Sequence, residues 1–245
     1  MKEFIDKLSS LSDLSAITFK INEFIQKAEA GAFVEFILDL IEDVIKGSVK
    51  SRRILIAFVM SDIKSQLSIS KAKEIVKKAQ ELGFADIINA IIDPQMKLKK
   101  KTVLEKEIEL YSETQGNEEK TLGYKKNIAR KADRLTIEKL CFDKNPDVIK
   151  NLLLNPKLIL ADVIKIAALR PNNPKVLSVL KKNPKWISQG PIRNALVQNP
   201  YTPLDISLLL LTSLSKNQLK DVSCNTLIHP ILRELAGRIV VSGKW

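Results

Sequence analysis

The sequence predicts an all-α protein, an α-solenoid of short helical repeats of about 26–28 residues preceded by a helical bundle or degenerate helix pairs. Three observations predict it. Apolar residues in the first 92 positions recur at i, i+3, i+4 and i+7, the spacing of one helical face. No stretch alternates apolar and polar residues as a half-buried strand would. Asn-Pro recurs at 145, 155, 173, 183 and 199, with 28 or 26 residues between alternate copies, an interval typical of stacked repeats.

Three regions follow: N-terminal helices over 1–94, a polar charged connector over 95–123, and a helical-repeat domain over 124–245. In the first, helices are expected over Thr18 to Ala28 and Ser51 to Leu67. Between them Phe33, Phe36, Ile37, Leu40, Ile41, Val44 and Ile45 form one apolar stripe, with Glu35, Asp39, Glu42 and Asp43 opposite. Gly47 is placed to end that helix in the left-handed conformation. A further helix should start near Ser70, bury Ala72, Ile75, Val76, Ala79 and Leu82, and stop at Gly83. Phe84 to Ile92 then ends because Asp93 precedes Pro94, which disfavours helical dihedrals. The connector holds Lys97, Lys99, Lys100 and Lys101, then Glu105, Glu107 and Glu109, and reads as solvated charge.

Nine of the ten prolines lie after residue 140. Leu135 to Asp143 reads as an entry helix with Ile137, Leu140 and Cys141 inward. Superposing residues 145–172 on 173 onward at an offset of 28 pairs Asn145 with Asn173, Val148 with Val176, Leu152 with Leu180 and Asn155 with Asn183. Val148, Val176 and Ile192 each stand seven residues before an Asn-Pro, and Leu152, Leu180 and Leu196 follow four residues on, which draws one stripe over two turns. Proline then stops the helix, and the Asn before it is suited to cap the next one with Pro at its first position. Val163, Ile164, Ala167 and Ala168 should form the longer partner helix. His229-Pro230 stands in an Asn-Pro slot, and Ile231 to Val241 should close the stack.

These motifs resemble the leucine-rich repeat variant family, bacterial α-solenoids similar in shape to HEAT repeats. The carrying residues are Asn199-Pro200-Tyr201-Thr202-Pro203 followed by Leu204 and Leu208, with Asn155-Pro156 and Asn183-Pro184 matching the corner without the Thr-Pro. Some members hold a cysteine-ligated iron–sulfur cluster. Cys141 and Cys224 are too few for one, so the resemblance implies a repeat scaffold without that cofactor.

Chemistry is sparse. The single histidine, His229, precedes a proline and reads as structural, and the cysteines sit among apolar helical residues. No glycine-rich phosphate loop or zinc ligand set appears, so no catalytic residue, cofactor or metal is expected and the protein reads as a non-enzyme. Met1-Lys2-Glu3 leads straight into mixed charge, and the longest apolar run, Ile54 to Met60, falls far short of the roughly 20 residues of a membrane span. A cytoplasmic protein is therefore expected.

The formal charge is +12, and residues 151–200 hold eight basic residues against one carboxylate, Asp162. At the 28-residue offset Lys157 pairs with Lys185 and Lys165 with Arg193, which predicts two cationic rows on one face. Arg170, Lys175, Lys181 and Lys182 belong to the same repeats. Lysines directly after Asn-Pro would sit in helix first turns, where a cation is disfavoured by roughly 0.3–1 kcal/mol. These eight residues are the candidate binding site. The expected partner is an acidic protein held on the scaffold, with nucleic acid contacted through its phosphates as the alternative. Aromatic residues are only 5% of the chain and leave Trp186 and Tyr201 as the rings near the rows for base stacking.

Overall fold

The computed structural model describes residues 2–61, 63–92 and 121–242. Among these the chain is helical and holds no strand. It forms two compact units: Met1–Met96 together with Leu204–Trp245, and Lys97–Pro203. No described helix is long and apolar enough to cross a membrane. The connector, including its lysine cluster, lies outside the described residues up to 120.

The first unit begins with α1 (Lys2–Ser9), an element additional to those the periodicity predicts, then α2 (Leu14–Lys27), α3 (Ala30–Ile45) and α4 (Val49–Met60). Next come α5 (Ile63–Gln66), α6 (Ile69–Glu81) and α7 (Ala85–Ile92). The Ser51 to Leu67 segment is broken at Ser61, whose buried hydroxyl donates back to the Phe58 carbonyl at 2.6 Å. Residues Ile54 to Val59 of α4 are all buried, and the helix packs against α1, α2 and α3. Phe4, Phe24, Phe36 and Phe58 stack in series across these helices, with ring centroids 4.6, 5.1 and 5.8 Å apart. Gly47 and Gly83 end α3 and α6 with φ of +93° and +78°, the left-handed stops expected from the sequence. In each case the following amide closes the helix, Ser48 onto the Asp43 carbonyl and Phe84 onto that of Ala79. Leu82, expected inward, caps α6 and is 44% exposed.

The same unit takes in α15 (Leu204–Leu211), α16 (Lys216–Cys224) and α17 (Pro230–Ser242). The sequence grouped these with the repeats, yet every residue of α15 from Ile206 to Leu211 is buried. A helix apolar on all sides needs neighbours on all sides, and α15 packs on α4, α7 and α17.

The second unit pairs helices in alternation. One set is α8 (Leu122–Lys131), α10 (Pro146–Leu152) and α12 (Pro174–Lys181), packed in succession. The other is α9 (Arg134–Leu140), α11 (Leu160–Ala168) and α14 (Gly190–Gln198), of which α11 and α14 pack together. A single turn, α13 (Pro184–Ile187), precedes α14. The expected stripe is present: Val148, Leu152, Val176, Leu180, Ile192 and Leu196 are each fully buried.

Candidate functional site

The Asn-Pro corners are of two kinds. Asn145, Asn173 and Asn183 cap α10, α12 and α13 as the sequence predicts, each with Pro at the first helical position and a side-chain oxygen accepting from the helix amides. Asn155 and Asn199 start no helix. Each is buried, and its oxygen accepts the amide two residues on, from Lys157 at 2.9 Å and Tyr201 at 3.0 Å. Its amide group donates to the closing carbonyls of another helix. Asn155 reaches Ala129 and Ala132 at 3.0 and 3.2 Å, and Asn199 reaches Ala167 and Leu169 at 2.7 and 3.0 Å. Helix-end carbonyls lack intrahelical donors, so these side chains satisfy groups that burial would otherwise strand.

These bonds place the turns side by side. At one end of the helices, Asn155 ties the 153–159 turn to Ala132, and Trp186 Nε1 donates to the Leu153 carbonyl at 3.4 Å, bringing in the 182–189 turn. At the other end Asn173 donates to the Lys144 carbonyl at 3.1 Å, and Asn199 reaches Leu169. The two ends of a seven-residue helix such as α10 lie about 10 Å apart.

The eight candidate cations divide between these places. Lys157, Lys182 and Lys185 are exposed at the first end, with Lys181 half-buried at the end of α12. Lys185 stands 4.3 Å over the ring of Trp186. Arg170 and Lys175 are exposed at the opposite end, where Arg170 donates to the Gln198 carbonyl at 2.7 Å. Lys165 is exposed in the last turn of α11. Lys157 lies in a turn and not in a helix first turn, so the expected first-turn placement holds for Lys175 in α12 and for Lys185 in the single turn α13.

Arg193 departs from expectation. It is 6% exposed, and its guanidinium donates to the Ile187 and Ser188 carbonyls at 3.1 and 2.6 Å, closing α13. The buried residues of α11 are Asp162, Val163, Ile166 and Ala167, and those of α14 are Ile192, Arg193, Leu196 and Val197, a shift of 30 residues. Arg193 therefore occupies the inward slot of Val163. The 28-residue offset holds for α10 and α12, but the extra turn before α14 moves the partner helix by two positions.

Asp162, the one carboxylate of residues 151–200, is also buried. Its side chain has no solvent exposure and receives both terminal nitrogens of Arg134, at 2.5 and 2.6 Å. Its Oδ2 also accepts the Ile159 amide at 3.1 Å. The bidentate guanidinium holds the carboxyl below the usual range against the opposing effect of burial. The signal was present in the sequence, since Arg134 and Asp162 are 28 residues apart.

Cys141 and His229 are built into the scaffold. Burial pushes the Cys141 thiol up to about 11, away from the reactive thiolate. His229 Nδ1 accepts the Ile231 amide at 3.0 Å, the bond Asn makes at the other corners. Burial and then the charge of Arg233 lower its pKa from about 6.5. The unfolded chain thus binds the proton more tightly, and this cap is at full strength above about pH 6.5 and is lost as the pH falls through the folded value. His229→Asn should keep the cap and remove that dependence. Between pH 7.5 and 5.5 the wild-type melting midpoint is expected to fall about 3 °C further than the variant's, about 1 kcal/mol of capping. Parallel curves for the two proteins would refute it.

Among the described residues no group of three or more His, Cys, Asp or Glu gathers to hold a metal ion. Compared with protein-family models, curated proteins and solved structures, the chain matches none.

Proposed function

We propose that residues 121–203 form a short α-solenoid of the leucine-rich repeat variant or HEAT-like kind, and that this unit is a non-enzymatic scaffold binding an acidic protein partner. The observation that carries the reading is an imbalance of accessible charge. Of the eight basic residues in 151–200, Arg193 alone is buried, while the one carboxylate, Asp162, is withdrawn from solvent and bound to Arg134. This stretch therefore turns cations to solvent and contributes no solvent-facing carboxylate of its own. The alternating helices that pack in succession support the repeat reading.

Nucleic-acid binding through phosphates is the alternative, and the rings argue against it. Trp186 and Tyr201, the two aromatic residues within 151–203, are 4% and 9% exposed and offer no face for base stacking, which leaves Tyr124 and Phe142 as the exposed rings of the unit. The test compares the wild-type chain with a Lys157→Glu, Lys165→Glu, Lys175→Glu, Lys185→Glu variant in nuclease-treated extract of the native host. Expected are unchanged helicity and loss of a captured acidic protein. A random DNA duplex bound below micromolar Kd, with affinity falling steeply between about 50 and 200 mM salt, would favour the alternative. Equal capture by both proteins would remove the cations from the site.

A further inference from the structure

The turns at the first end of the helices carry apolar side chains that the candidate site does not include. Leu135 is 71% exposed, Leu154 59% and Ile159 51%. Single exposed apolar residues are ordinary, but these three stand on segments that hydrogen bonds tie together. The Ile159 amide and Arg134, the neighbour of Leu135, meet on the same oxygen of Asp162, at 3.1 and 2.5 Å. Leu154 adjoins Asn155, whose side chain bonds to the Ala132 carbonyl at 3.2 Å. Lys157 lies in the same turn as Leu154 and Ile159, and Lys185 follows in the next turn over Trp186. Across residues 131–138, 153–159 and 181–189 the carboxylates are Asp133, occupied in capping α9 through the Thr136 amide, and Glu138, paired with Arg134.

We infer that this edge, with Leu135, Leu154 and Ile159 set among Lys131, Lys157 and Lys185, is the docking site for an acidic amphipathic segment of a partner protein. The inference rests on the scaffold reading and deepens it. A plain polyanion would use the lysines and leave the leucine and isoleucine side chains wet. A segment with carboxylates on one side and apolar residues on the other satisfies both. Charge complementarity selects its sign, and the apolar trio selects a polypeptide over a nucleic acid.

The test uses the full chain and two labelled 16-residue peptides of equal negative charge, one with glutamates and leucines at helical spacing, the other with serine in place of each leucine. By fluorescence anisotropy the leucine peptide should bind at least tenfold tighter. Leu154→Ser with Ile159→Ser should abolish that preference and leave the affinity for the serine peptide unchanged. Lys157→Glu with Lys185→Glu should weaken both peptides. Lys216→Glu with Lys220→Glu, exposed on α16 and outside the candidate site, should weaken neither. All substituted residues are exposed, and unchanged far-ultraviolet dichroism checks the fold of each variant. Equal binding of the two peptides, a leucine preference that survives the serine variant, or a random DNA duplex that outcompetes the leucine peptide would overturn the edge. Charge-dependent binding without a leucine preference would leave the scaffold reading standing and sink the edge alone. No binding of either peptide would sink both.

Discussion

Asn199→Ala should lower the melting midpoint by roughly 6–12 °C, about 3 kcal/mol, while Asn183→Ala should lower it by only about 3 °C. Both are Asn-Pro corners, but their surroundings differ. Asn183 accepts one amide bond, from Trp186 at 3.4 Å, at the start of a single helical turn. Asn199 is 2% exposed, accepts from Tyr201 and donates to two carbonyls at the end of α11. Its removal strands the buried Tyr201 amide and Ala167 carbonyl and the part-buried Leu169 carbonyl. Asn155→Ala should match Asn199→Ala, and Asn173→Ala, with its cap and its one bond to Lys144, should fall between. Thermal unfolding of the four variants is the measurement. A cost at Asn183 equal to that at Asn199 would show that capping alone explains all the corners.

Arg134→Ala should be nearly as damaging, by roughly 3 kcal/mol, because it leaves a buried carboxylate whose remaining partner is the Ile159 amide. The direction with pH is diagnostic. In the wild type Arg134 holds the Asp162 pKa down, so the pair stabilises above the ordinary carboxylate range and its contribution is lost as the pH falls through the lowered value. Without Arg134, burial is left to raise that pKa, and the variant should recover toward wild type between pH 7 and pH 4. Asp162→Asn in the Arg134→Ala background should restore much of the loss at pH 7 by removing the charge. Denaturant unfolding at both pH values measures this. A loss that neither acid nor Asp162→Asn relieves would show that Arg134 acts through packing of its stem and not through the ion pair.

Helical class, most helix positions and the buried stripe were legible because they depend on short-range periodicity, which a sequence displays directly. Gly47 and Gly83 were legible as stops because left-handed backbone favours glycine. The two kinds of Asn-Pro corner were not. The dipeptide is locally identical in both, and what separates Asn183 from Asn199 is a pair of carbonyls some 30 residues away. Arg193 was misplaced because the single turn of α13 shifts the register of the next helix, and a guanidinium can turn inward when helix-end carbonyls take its donors. The apolar edge had a trace in Leu152-Leu153-Leu154, since three successive leucines cannot share one helical stripe. Two of them are buried and Leu154 is not. The packing of α15 with the N-terminal helices left a trace too, in the unbroken apolar run of Leu208 to Leu211.

The burial of Asp162 has a consequence for any binding experiment. Residues 151–200 contain no glutamate, histidine, cysteine or tyrosine, and their one aspartate is locked as an anion by Arg134. Between pH 7 and pH 5 this stretch acts as a fixed-charge surface. A change in affinity over that interval, measured at constant salt, would read out the ionisation of whatever the stretch holds.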